Sequence, residues 1–183
     1  IKEALMEMAD YKGDKKHNRT MSTLCNLIQD NNLKELFQFY TSNDSSGKMF
    51  DGNSDSLELS NFTVFEMSNL LSMGDKTKII PLIEYFFRQI ELNISLNPTP
   101  SLIVLDEAWV FLDHPVFREK IKMWLKEMRK YNCAVIFATQ NLSDAFKSEI
   151  ADTLIQECPT KILLANPEAV TYAVKPYYEK LGL

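Results

Sequence analysis

Apolar residues along this chain follow two different spacings, and the spacings divide it. Through about residue 40 they recur at intervals of three and four: Ile1, Leu5 and Met8, then Met21, Leu24, Leu27 and Ile28, then Leu33, Leu36, Phe37 and Tyr40. Such stripes predict three short amphipathic helices. The polar run from Gly13 to Asn18 separates the first two, Asn31-Asn32 breaks the second from the third, and Thr20 stands where an N-cap belongs. From Thr41 to Asn61 the chain turns to Ser, Asn, Asp and Gly, which predicts a loop with short extended pieces at Met49-Phe50 and Leu57–Leu59. Phe62–Met67 has the β-branched and aromatic content of a strand. After Gly74-Asp75, the stripe Ile79, Ile80, Leu82, Ile83, Phe86, Phe87 and Ile90 marks a longer helix, with Pro81 in its first turns, where proline is tolerated best.

Beyond residue 100 the spacing changes. Leu102-Ile103-Val104-Leu105 and Ala134–Thr139 are apolar without alternation, which predicts strands buried on both faces, as in the centre of a parallel sheet. Lys161–Ala165 predicts a further strand. Between them a helix begins near Asp113-His114-Pro115 and carries Phe117, Ile121, Trp124, Leu125, Met128 and Tyr131 on one face. A second helix, capped by Ser143, runs to about Gln156. Trp109 and Trp124 are expected in packing rather than stacked on a ligand. Strand and helix in alternation give an α/β fold, a doubly wound parallel sheet with right-handed connections. The expected division is a helical subdomain over 1–48 and an α/β core over 49–183.

Composition narrows the partners. The 183 residues carry a net charge of -5, with a pI near 5.1. That argues against a dedicated duplex-DNA binder but leaves room for a local basic patch. Cys25, Cys133 and Cys158 lie far apart with no metal or disulfide spacing, so reduced thiols are expected. His17 and His114 have no ligand partner in sequence and are expected on the surface or in loops. No apolar run reaches the roughly 18 residues of a membrane span. The chain opens on Ile1 and ends on Leu181-Gly182-Leu183, and reads as a piece of a longer protein.

Chemistry concentrates where the apolar strands run out. In open α/β sheets ligands sit at the carboxyl ends of the strands, and there Asp106 and Glu107 follow Leu105. An apolar strand ending in Asp-Glu is the Walker B pattern of nucleotide-hydrolysing P-loop proteins. In that pattern the Asp holds Mg²⁺, usually through water, and the Glu orients or deprotonates the attacking water. The plain alternative is a pair of solvated acids at a turn. Thr139-Gln140 ends the next strand, and Gln140 has the donor and acceptor to hold a water in line. Its alternative is a turn glutamine bonded to backbone. Arg129 could reach a nucleotide held by a neighbouring subunit, or could simply complement the end of its helix. A P-loop enzyme also needs G-x-x-x-x-G-K-[ST] to cradle phosphates. The nearest string, Ser42–Met49, lacks the first Gly and the Mg²⁺-binding hydroxyl and follows a helix, so it reads as a decoy.

Leu105-Asp106-Glu107-Ala108-Trp109, Trp124-Leu125-Lys126 with Arg129-Lys130, and Ala138-Thr139-Gln140 occur in an ordered combination, joined by Phe65-Glu66-Met67, Ser148 with Ile150, Thr160-Lys161-Ile162 and Asn166-Pro167-Glu168-Ala169. From about Phe50 to Leu183 this resembles the VirB-four (CagE/TrbE) ATPase family of type IV secretion systems. The first fifty residues resemble, more loosely, the helical insert that follows the phosphate loop. The resemblance implies a RecA-like P-loop NTPase sheet, here the Walker B half, using ATP and Mg²⁺ to energise apparatus and pilus assembly and substrate transport. It implies Asp106 as the metal partner, Glu107 as the catalytic carboxylate and Gln140 as the γ-phosphate reader; Arg129 stands beside them as a catalytic candidate from its place in the chain alone. It also implies a cytoplasmic protein peripheral to the bacterial inner membrane. Its partners would be other secretion components and, when full-length, further copies in a homo-hexamer, with nucleic acid left open. The family's phosphate loop has no counterpart in these residues, so the segment alone is expected to be inactive. Two other readings stand beside this one: a related hexameric DNA-translocating ATPase of the conjugative coupling type, and a nonenzymatic scaffold domain with the same fold.

Overall fold

A computed structural model of the protein describes residues 1–12, 18–67, 75–112 and 114–182. Most of the predicted loop at 13–18, including His17, lies outside these residues, as do Gly74, Asp113 and the side chain of Trp109. The chain divides into two compact units, Ile1–Leu82 and Ile83–Leu183.

In the first unit the predicted stripes form α1 (Lys2–Ala9), α2 (Met21–Leu27) and α3 (Asn31–Gln38). Ala4, Met8, Leu24 and Ile28 make its apolar centre, with Tyr11, Met21, Leu27, Leu33 and Phe37 packed around them. Thr20 caps α2 as predicted, its hydroxyl accepting the Thr23 N–H at 3.2 Å. The Asn31-Asn32 pair opens α3 rather than merely breaking α2. Asp30 is the cap, and its carboxylate accepts from the N–H groups of Asn32 and Leu33 at 2.9 and 3.0 Å. Arg19 closes α1 by donating to the carbonyls of Met8, Ala9 and Tyr11. Two carboxylates organise the loop that follows. Asp51 accepts from the backbone and hydroxyl of Ser22 and from the N–H of Ser42. Asp44 accepts from Ser46, Gly47 and the buried Lys78. Met49-Phe50, expected to be extended, closes instead into the 3₁₀ turn Gly47–Phe50.

The long predicted stripe is α4 (Lys76–Leu96), with Ile79, Ile83, Phe87 and Ile94 buried along one side. Pro81 has no N–H for the carbonyl of Thr77, four residues back. The hydroxyl of Tyr40 supplies the missing donor, at 2.8 Å.

In the second unit, β1 (Ser101–Leu105) and β2 (Cys133–Phe137) pair in parallel, Ser101 opposite Cys133 and Leu105 opposite Phe137. Among the described residues these two strands are the whole sheet. A short α5 (Trp109–Leu112) and then α6 (Pro115–Glu127) make the crossover, with Pro115 in the first turn, where a missing N–H costs nothing. Phe117, Ile121, Trp124 and Met128 are buried on the predicted face. Phe87 sits among Phe111, Phe117 and Trp124, the last ring 4.6 Å away centre to centre. The indole N–H of Trp124 donates to Glu91, which also takes Lys120. His114 lies in the bend before α6, beside Phe117, with its Nδ1 buried and without a hydrogen-bond partner among the described residues.

Three expectations are corrected here. Only one face of the sheet is covered by described residues: Leu102, Val104 and Ile136 stay 57, 57 and 48% exposed. Phe62–Met67 and Lys161–Ala165 pair with no strand, and Phe62, Ile162 and Leu164 stand more than four-fifths exposed. Strand-forming residues need a neighbouring edge to bond to, and among the described residues neither segment is paired with one. The helix expected from Ser143 to Gln156 is two, α7 (Leu142–Lys147) and α8 (Ala151–Glu157), because the chain turns at Ser148 to bury Ile150. Lys175–Glu179 forms the last helix, α9. The three cysteines are free, and burial pushes the thiols of Cys133 and Cys158 up, keeping them protonated at neutral pH. Among the described residues no helix is long and apolar enough to cross a membrane.

Candidate active site

Strand pairing brings the predicted residues to one edge. Past the last ladder pair the two strand ends stay tied: Ala138 N–H donates to Leu105 at 2.9 Å and Ala108 N–H to Ala138 at 3.0 Å. Ala108 is fully buried, its small side chain letting the two turns close on each other. Between these ties Asp106 and Glu107 form the turn. Glu107 has a φ of 49°, a left-handed conformation that a non-glycine residue adopts at some cost. The Glu107 N–H donates to Asp106 Oδ1 at 3.0 Å, and Asp106 itself is exposed. Gln140, on the loop after β2, donates from its side-chain amide directly to Glu107 Oε1. Sequence spacing placed these two groups at neighbouring strand ends. Their direct bond and the left-handed turn at Glu107 have no signature in residue type, except that Ala108 is small enough to permit them.

Arg129 is elsewhere. It lies in the 3₁₀ turn Met128–Tyr131, which feeds the amino end of β2. β2 is five residues long, so at about 3.3 Å per residue Arg129 is roughly a strand length from Gln140. The structure does not bring it to the Glu107 crevice.

The decoy string has its own geometry. The N–H groups of Ser46 and Gly47 both donate to Asp44 Oδ1 at 2.9 Å, and Lys78 binds the same oxygen at 2.6 Å. Lys78, then the Ser46 and Gly47 bonds, hold the Asp44 carboxyl far below the usual carboxylate range against a small opposing effect of burial. Amides that could have met a phosphate already hold an anion of the chain's own.

A profile of the TraG P-loop domain matches residues 15–178. The chain belongs to this family. It is 42% identical over 175 residues to the conjugal transfer protein TrbE of Rhizobium radiobacter, a match covering 96% of this chain and 20% of that protein. It is 43% identical over 164 residues to a probable conjugal transfer protein TrbE of Sinorhizobium fredii, covering 90% and 24%. It is 33% identical over 165 residues to the type IV secretion system protein virB4 of Bartonella henselae, covering 87% and 20%. The chain thus spans about a fifth to a quarter of the length of these relatives.

For a TraG P-loop domain the donor set at the crevice fits a nucleotide-borne divalent cation better than a protein-caged one. Among the described residues no group of three or more His, Cys, Asp or Glu side chains is gathered to hold a metal. Mg²⁺ in phosphate sites is typically held by one or two carboxylates, with water and phosphate oxygens completing the octahedron. Asp106, exposed and with one oxygen turned to the backbone, can serve as that carboxylate.

Proposed function

We propose that this chain is the Walker B half of a RecA-like ATPase, part of a longer motor that energises a type IV secretion or conjugal-transfer apparatus. The observation that carries the proposal is the meeting of Glu107 and Gln140 from adjacent parallel strand ends, beside Asp106. The names of the relatives, conjugal transfer and type IV secretion proteins, support the setting. Bound ATP and Mg²⁺ supply the phosphoryl group and the cation that offsets its charge. Asp106 would hold that cation through its exposed carboxylate. Glu107 accepts a proton from the attacking water, and Gln140 fixes that water's direction and senses the terminal phosphate. Arg129, distant from the crevice of its own chain, acts on a nucleotide in a neighbouring copy of a homo-hexamer. This reading puts the phosphate loop outside these 183 residues, and the closure of Ser42–Met49 on Asp44 supports it. The motor works on the cytoplasmic side of the inner membrane with other secretion components.

The test pairs ATP turnover with equilibrium binding of a nonhydrolysable analogue in the full-length protein. Glu107→Gln is expected to slow turnover about 10²–10⁴-fold, the usual worth of a general base, with analogue binding retained. Turnover at the parent rate overturns the assignment.

A further inference from the structure

Two polar atoms that hold one water between them cannot also bond to each other. A water with hydrogen bonds of about 2.8 Å to both partners holds them about 4.5 Å apart, whereas a direct bond brings them to about 3 Å. Gln140 and Glu107 are in direct contact. The Gln140 amide nitrogen is therefore spent on Glu107 Oε1, with no room for a water between those two atoms.

Ala138 N–H to Leu105 and Ala108 N–H to Ala138 hold the two strand ends together, with Glu107 in its left-handed conformation between them. Gln140 lies two residues beyond Ala138, so the pair parts by movement of Gln140 rather than of the Glu107 turn. Gln140 is free to rotate: it is exposed, it lies past the end of β2, and among the described residues its amide makes no other hydrogen bond. Asp106 stands on the same turn with its carboxylate exposed, so an anionic ligand reaching this edge arrives with a cation and meets the amide of Gln140 as a neutral donor.

We infer that Gln140 and Glu107 form a resting pair that silences the site. The terminal phosphate of a nucleoside triphosphate opens it by drawing the Gln140 amide away from the carboxylate. The inference rests on the ATPase reading and adds a gate to it. Glu107 Oε1 is released from the Gln140 amide only when a third phosphate is present, so the same glutamine that senses the phosphate also occupies the base in its absence. A diphosphate leaves the pair closed.

The experiment is a double-mutant cycle on equilibrium binding in the full-length protein, with Mg²⁺ present. Parent, Glu107→Ala, Gln140→Ala and the double variant are each titrated with a nonhydrolysable triphosphate analogue and with the diphosphate. Removing the charge of Glu107 alters affinity in both backgrounds, and the cycle cancels that effect. What remains is the cost of parting the pair. Glu107→Ala is expected to tighten triphosphate binding about two- to tenfold more where Gln140 is present than where it is absent, the scale of one hydrogen bond. No such excess is expected for the diphosphate. In Glu107→Gln, which keeps an acceptor for the amide, most of the excess should disappear. An equal response in both backgrounds overturns the resting pair, and an equal excess for diphosphate overturns its release by the third phosphate. If the parent binds neither nucleotide, the ATPase reading itself falls.

Discussion

The loop around Asp44 and the turn at Asp106 use the same chemical material to opposite ends. Each sets an aspartate in a turn with its Oδ1 accepting a backbone N–H from just ahead in the chain. In the first unit one oxygen of the Asp44 carboxylate takes two backbone amides, a hydroxyl and a buried lysine. In the second, Asp106 takes one amide and otherwise faces solvent. What separates the two acids is how much of their coordination the chain itself has filled.

Making the same substitution in both regions tests this most sharply. In the full-length protein Asp106→Asn is expected to lower turnover about 10²–10³-fold, the scale of losing one preorganised electrostatic group, and to weaken Mg²⁺-dependent analogue binding. Its thermal midpoint should not move. Asp44→Asn should do the reverse, lowering the midpoint while analogue binding stays at the parent value. Matching calorimetry and binding isotherms read both, and a fall in nucleotide affinity from Asp44→Asn would erase the distinction.

Gly47→Ala attacks the filled site through its backbone. A Cβ there would lie 2.5 Å from the carbonyl oxygens of both Phe39 and Thr41, neither of which can swing aside as a side chain could. Overpacking of this kind costs about 1–3 kcal/mol, to be read from chemical denaturation, with no change at the Glu107 crevice.

Acid distinguishes the regions next. Asp44 and Asp75 are held below the ordinary carboxylate value, Asp44 chiefly by Lys78 and Asp75 chiefly by Thr77. For Asp51 burial pushes upward, but the bonds from Ser22 and Ser42 outweigh it and the net shift is also down. In each case the unfolded chain takes up its proton at a higher pH than the folded one. Their stabilisation is therefore complete above about pH 5 and is lost as pH falls through the ordinary value toward the depressed folded ones. Melting followed from pH 7 to pH 3 should show that decline, and Asp44→Asn should flatten it. The smallest effect is expected from Lys48→Ala. Lys48 occupies the lysine position of the decoy string yet is exposed, so neither the midpoint nor analogue affinity should change measurably.

Much of the second unit was legible in sequence because its signals were redundant. β1 and β2 are apolar throughout, each ends in a polar pair, and the stripe on α6 leaves one face to cover them. The pairing follows, and it brings Glu107 to Gln140. Phe62–Met67 and Lys161–Ala165 carry the same kind of residues but form no ladder, because a strand is a property of two segments and composition describes one. The same limit explains the bare side of the sheet. Leu102, Val104 and Ile136 are as apolar as buried residues, and residue type does not say what covers them. Asp30 as the cap of α3, the break at Ser148 and the left-handed turn at Glu107 are local geometry, set by contacts that spacing does not encode.

Pro81 has a further consequence, for the order in which the protein folds. A helix growing from the aromatic-rich half of α4 toward its start meets one rung it cannot make, and the donor that replaces it, Tyr40, lies 37 residues away. Closing a loop of that length costs about 3 kcal/mol in chain entropy by the logarithmic estimate, against the ~1 kcal/mol that one hydrogen bond returns. The bond therefore cannot recruit Tyr40 by itself; it closes only after the packing of the first unit has delivered the ring. The opening turn of α4 is thus a late arrival, completed by tertiary structure rather than leading to it.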